Sequence, residues 1–95
     1  MLNKKVIVRA KDAGVFFGTL KEKTANEVVL SNARKLHYWD GAGAVEGIAI
    51  QGSTKPNECR FTVWVEEICI ADWCQILPCT DEAIEIIESI KEWRL

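Results

Sequence analysis

Lys5-Val-Ile-Val-Arg9, then Asp12-Ala13-Gly14, then Val15-Phe-Phe-Gly-Thr-Leu-Lys21 are the pieces of the chain that decide its fold. The first is a continuous run rich in β-branched residues, and the third resumes the same extended habit. With a turn between them they pair as an antiparallel hairpin. Gly18 inside the second strand marks a bulge or a close approach of backbone. Thr24-Ala25-Asn26-Glu27 reads as the next turn. Val28-Val29-Leu30 opens a third strand that continues, with a break near Ser31-Asn32, into Leu36 to Trp39. The result is a three-stranded meander. Phe16, Phe17, Tyr38 and Trp39 fall on adjacent strands, where cross-strand pairs stabilise by a few tenths to about 1 kcal/mol each.

Beyond the meander the period changes. Val45, Ile48 and Ala49 follow helical spacing within Gly41 to Gly52, although glycine weakens a helix by about 1 kcal/mol per residue; the segment predicts a short helix. Ser53 to Glu58, with Pro56, is a polar surface loop. Arg60 to Ile70 predicts a strand with Phe61, Val63 and Val65 on one face. Ala71-Asp72 interrupts it, and Trp73 to Leu77 forms a further strand. Thr80 is a good N-cap, with Asp81 and Glu82 in the first turn of a helix running to about Trp93. Ala83, Ile86, Ile87, Ile90 and Trp93 give that helix one apolar stripe for the core or for a second copy of the chain. The fold class expected is α+β: an antiparallel β-sheet of about five strands, a short middle helix and a C-terminal helix.

Size and composition narrow the function. Residues 1–95 suffice for a single domain, with little surface left for a deep private active site. The chain is 48% hydrophobic and 27% charged, ordinary for a globular protein. No apolar run approaches the roughly 20 residues of a membrane helix, and the start lacks a signal-peptide core, so the expectation is no membrane and a cytoplasmic location. Net charge is −2, with eight basic and four acidic groups in residues 1–40 and four basic and ten acidic groups after them. A duplex-nucleic-acid binder carries a stronger basic excess, so duplex partners are not expected; a small anion held by a few local cations fits better. Cys59, Cys69, Cys74 and Cys79 contain no Cys-x-x-Cys, and the lone His37 lies elsewhere, so neither a metal nor another cofactor is expected. The cysteines read as reduced, buried thiols.

Asn32-Ala-Arg-Lys-Leu-His-Tyr-Trp-Asp-Gly41 packs a guanidinium, an ammonium, an imidazole, a phenol, an indole and a carboxylate into less than one strand's length. A buried core has no need of that mixture. Arg34 and Lys35 offer charge for phosphate, Tyr38 and Trp39 offer flat faces, and Asp40 offers an acceptor. The competing reading makes Tyr38 or Trp39 core, Asp40-Gly41 a turn, and Arg34 and Lys35 a solvated edge. Catalytic machinery is not expected: no nucleophile–base pair, paired carboxylates or phosphate loop has a recognisable spacing. His37 and Asp40 point to opposite faces of a straight strand.

Ala13-Gly-Val-Phe-Phe-Gly-Thr-Leu20, Asn32-Ala-Arg34, Tyr38-Trp-Asp-Gly-Ala42, Pro78-Cys-Thr80 and Ile90-Lys-Glu-Trp93 together resemble a widespread group of small phage and prophage proteins, over nearly the whole length. The resemblance implies phage sponge proteins of the anti-CBASS kind. These bind a cyclic dinucleotide alarm signal of bacterial immunity in the host cytoplasm and hold it without cleaving it. On that resemblance Arg34, Lys35, His37, Tyr38, Trp39 and Asp40 form the ligand-binding set. Arg34 and Lys35 would meet phosphates, Tyr38 and Trp39 would stack on bases, and Asp40 would accept from a base edge. Two positions depart from the pattern: lysine stands at 35 where a second arginine is common, and histidine at 37 where an aromatic is common. A homo-oligomer is expected from size, and a two-fold ligand suits a symmetric dimer site. The alternative reading is a protein-interaction module that inhibits or recruits a host protein, or an accessory virion protein.

Overall fold

A computed structural model describes residues 1–94. Strands β1 (Lys5–Ala10), β2 (Gly14–Lys23) and β3 (Glu27–Tyr38) form the expected meander. Helix α1 (Val45–Gln51), a 3-10 turn at Pro56–Glu58, β4 (Arg60–Phe61), β5 (Val65–Ala71), β6 (Trp73–Pro78) and helix α2 (Asp81–Ser89) follow. The fold is therefore α+β, an antiparallel sheet with a middle and a C-terminal helix. Among the described residues, no helix is long and apolar enough to cross a membrane.

The strand order is β4-β3-β2-β1-β6, and β5 also lies beside β3. At 12 residues, β3 holds β5 along its first part, from Glu27↔Ala71 to Ala33↔Val65, and β4 at its end, through Leu36↔Phe61 and Tyr38↔Arg60. On the far side β6 pairs with β1, from Val6↔Pro78 to Ala10↔Trp73. Only Asp72 separates β5 from β6, so one nearly continuous run joins the two edges of the meander. Asp72 adopts a left-handed φ of 56°. Its N–H donates to the Asn26 carbonyl and its carbonyl accepts from the Lys11 N–H. The sheet thereby curls on itself.

Two cores result, one on each face. Val6, Val8, Phe16, Leu20, Leu30 and Ile70 pack inside the curl. Ile7, Phe17 and Leu36 pack outside it, beneath Ile48, Phe61 and Ile87. This explains the uninterrupted Val6-Ile7-Val8 run: β1 is apolar on both faces, and all three side chains are wholly buried. An ion pair between Lys5 and Glu88 joins β1 to α2 at the surface. Thr80 caps α2 as expected, its hydroxyl accepting from the Ala83 N–H at 3.1 Å.

The break foreseen at Ser31-Asn32 is a β-bulge within one continuous strand. The register moves from Thr19↔Ser31 to Phe17↔Arg34, so Asn32 and Ala33 lie opposite Gly18. Asn32 takes a φ of 47°. A Cβ on Gly18 would lie 2.9 Å from the Ala33 Cβ and 3.1 Å from the Leu30 Cβ, so the close approach excludes a side chain there. The extra residue reverses the alternation of β3. Val28, Leu30 and Ala33 face the inner core, while Leu36 and the neighbouring Arg34 turn to the helix side.

Several expectations need correction. The middle helix occupies only Val45–Gln51: Ala44 before it is extended, and Gly52 after it takes a φ of 71°. The strand expected over Arg60 to Ile70 is two strands. Between Leu36↔Phe61 and Ala33↔Val65, Thr62 to Trp64 must span only Arg34 and Lys35, and they leave the ladder. The helix expected to reach Trp93 ends at Ser89, and the following residues run onto β4. Phe16 and Phe17 pair across the sheet with Lys35 and Arg34, not with aromatic rings. Of the four thiols, Cys59 is buried and Cys79 partly so, but Cys69 and Cys74 are exposed.

Candidate functional site

The bulge sends Arg34 inward. Its exposure is 0%. Nε donates to the Thr62 carbonyl at 3.3 Å, and Nη1 donates to the carbonyls of Ile87 at 3.2 Å and Ile90 at 2.8 Å. The guanidinium carbon lies 4.9 Å from the Phe61 ring centre and 4.6 Å from that of Trp64. Helix α2 has no basic residue in its own last turn. Arg34 supplies one from the sheet, where the carbonyl end of a helix carries partial negative charge. Burial pulls its pKa down, and the charge of Glu92 acts in the opposite direction. Nη2 is buried and has no hydrogen-bond partner among the described residues.

The other five residues singled out in the sequence separate into four places. Lys35 is half-buried with Nζ 6.0 Å from the centre of the Phe16 ring. Trp39 packs partly buried against the helix-side core. Asp40 organises a loop: one carboxylate oxygen accepts from the Gly41 N–H at 2.7 Å, while its carbonyl accepts from the Ser53 hydroxyl. Only His37 and Tyr38 remain together on open surface.

Those two residues meet a part of the chain that sequence reading did not assign to the site. The end of β3 pairs Tyr38 with Arg60 of β4. Beyond α2 the chain crosses to the outer edge of β4, where Glu92 makes a parallel bridge with Phe61 and the Trp93 N–H donates to the Phe61 carbonyl at 2.8 Å. Trp93 then stacks on His37, with ring centres 4.9 Å apart and planes 7° from parallel. The Arg60 guanidinium carbon lies 5.3 Å from the Trp93 ring centre and 5.8 Å from that of Tyr38. Cation–π attraction at such distances holds the guanidinium between the rings.

A groove of 470 Å³ opens here, lined in part by Tyr38, Glu58, Arg60, Lys91, Glu92 and Trp93. Tyr38 is 50% exposed. Arg60 makes no ion pair among the described residues, whereas Glu92 is engaged by the Trp64 N–H at 3.3 Å and by Arg94. The groove therefore offers Arg60 and Lys91, neither in an ion pair among the described residues, an open aromatic ring at Tyr38, and the carboxylates of Glu58 and Glu92. His37 has no side-chain hydrogen bond among the described residues, and its ring is committed to the stack. Trp93 left one trace in the sequence, as a ring at the end of the apolar stripe; nothing local marks Arg60, which reaches the groove only through strand pairing.

A curled antiparallel sheet with two helices on one face, and a groove lined by rings and charged groups at one corner, defines a small α+β domain. The chain belongs to the family described as a domain of unknown function, DUF6948, whose sequence profile matches residues 3–87. No curated protein and no solved structure matches it. Tyr38 and Arg60 lie within the matched span; Lys91 and Trp93 lie beyond it.

Proposed function

We propose that this is a phage-encoded, non-enzymatic binding protein that captures a cyclic dinucleotide in the Tyr38–Arg60–Trp93 groove and withholds it from its receptor. The observation that carries the reading is the Arg60 guanidinium, held between two aromatic rings without an acidic partner among the described residues. A phosphate gains charge-assisted hydrogen bonds from such a group, and a base gains a stacking face on Tyr38. Sequestration requires affinity without turnover. In this proposal Arg60 and Lys91 replace Arg34 as the phosphate contacts, and Tyr38 is the principal stacking surface. Self-association remains part of the proposal, since the groove is open and shallow and a second copy would cover it.

Isothermal titration calorimetry with cyclic di-AMP, cyclic di-GMP and mixed cyclic dinucleotides tests the reading. Expected is binding to at least one, weakened at least tenfold by Arg60→Ala; no heat with any of them at high micromolar ligand overturns it. A second reading, a protein-interaction module for a host protein, draws support from Val63 and Trp64, which are both 37% exposed on the loop between β4 and β5. It predicts a stoichiometric protein partner and no small molecule released on denaturation.

A further inference from the structure

The groove has a neighbour. A second hollow, of 330 Å³, is lined by Pro56, Asn57, Cys59, Ser89, Ile90 and Lys91. Asn57, Cys59 and Lys91 also line the first. The two lobes therefore adjoin along the 3-10 turn at Pro56–Glu58 and the chain leaving α2. Small-molecule sites commonly occupy about 300–1,000 Å³, so each lobe alone lies toward the low end and suits one nucleotide-sized unit.

Their chemistry differs. The first lobe carries the Arg60 cation, the Tyr38 and Trp93 rings, and the Glu58 and Glu92 carboxylates. The second has no aromatic ring and presents the Pro56 ring and the Ile90 side chain, both half-buried, as apolar walls. Its polar groups are the Asn57 amide and the Ser89 oxygen, whose hydroxyl proton goes to the Ile86 carbonyl, leaving lone pairs free to accept. Lys91 stands at the junction, exposed and without an ion-pair partner among the described residues. A ligand whose two flat units are joined through phosphate matches this sequence of stacking face, cation, and amide-edged apolar wall.

We infer that the Pro56–Ser89 lobe is a second base subsite, with Lys91 at the linking phosphate, so that the site selects two-base ligands over mononucleotides. This inference rests on the groove reading above and deepens it. Binding both units in adjoining lobes avoids a second association cost, which is why a two-lobed site favours the joined ligand.

The test is calorimetry with GMP, AMP, cyclic di-GMP and cyclic di-AMP on the parent, on Ser89→Tyr, which fills the second lobe from an exposed position, and on Asn57→Ala. Matching melting temperatures establish that the variants fold. Expected is a cyclic dinucleotide bound at least tenfold more tightly than either mononucleotide. Ser89→Tyr removes most of that preference by weakening the dinucleotide alone, and Asn57→Ala reduces it in part. Equal affinity for one-base and two-base ligands, or a Ser89→Tyr protein that keeps the full preference, overturns the second subsite while leaving the first lobe in place. No binding by any of the four probes overturns the groove reading and this inference with it.

Discussion

Replacing Arg34 by alanine tests whether this side chain holds the fold together or waits for a ligand. In the structure it makes three hydrogen bonds, at 3.3, 3.2 and 2.8 Å, to the Thr62, Ile87 and Ile90 carbonyls, and it lies between two aromatic rings. Hydrogen bonds to a charged group contribute about 1.5–3 kcal/mol each, but removing the guanidinium from water costs several kcal/mol, so the three do not add in full. Truncation also leaves a void between Phe61 and Trp64 and deprives the Ile90 carbonyl of its donor. Large-to-small core replacements span about 2–5 kcal/mol, and a net loss of about 3 kcal/mol is expected here. For a domain of this size that lowers Tm by roughly 12–24 °C. Arg34→Lys keeps the charge but not the forked donors, and Arg34→Met keeps most of the packing but no donor; both should fall between alanine and the parent. Circular dichroism melts at 222 nm, with near-ultraviolet signals following Trp64 and Trp93, provide the measurement. An alanine variant melting within about 3 °C of the parent refutes the assignment of Arg34 as the cap of α2.

Other expectations follow from the same contacts. Gly18→Ala forces a methyl against Ala33 and Leu30 at the bulge, and urea denaturation should show a loss of about 1–3 kcal/mol; an unchanged midpoint contradicts the close approach. Burial pushes the Cys79 thiol up to about 12. With iodoacetamide at pH 8.5, mass spectrometry should find the exposed Cys69 and Cys74 alkylated first and Cys79 protected until unfolding. The same shift has a sign for stability. The unfolded thiol ionises near its ordinary value of about 9 while the folded one does not, so this group disfavours folding as pH rises from about 9 towards 12. Trp93→Ala removes the stack on His37 and should speed amide exchange at Glu92 to Arg94 without lowering Tm by more than about 5 °C; a larger fall would make the terminal segment part of the main core.

The sheet was legible because its signals are local. Lys5 to Arg9 and Val15 to Lys21 are extended runs around a glycine-bearing turn, and Thr80 with two following acids announces α2. Gly18 and Ser31-Asn32 also signalled an irregularity from their chemistry alone. What remained hidden was its geometric effect. Sequence shows that a residue is out of step, but only the register shows that Arg34 turns inward as a result. The same limit applies to the site. Tyr38 and His37 were singled out from their own segment, whereas Arg60 and Lys91 come beside Tyr38 only through β3–β4 pairing and an early end to α2. At the end of that helix a buried guanidinium 53 residues earlier binds the Ile87 carbonyl, a contact no helical periodicity encodes. Trp39 and Asp40 show the reverse, residue types suited to recognition that the fold uses for packing and for fastening a loop.

Closure through Asp72 bears on how the chain is made. Val6 reaches its β6 partner Pro78 only after most of the protein has left the ribosome. At about 5–20 residues per second, roughly 2–8 s pass between the emergence of Tyr38 and that of Pro78. Throughout that interval the meander exists without the strands that seal it, and its valine- and leucine-lined hollow is available to any sticky surface nearby. Vectorial synthesis thus makes last the two strands, β5 and β6, that cover this apolar hollow.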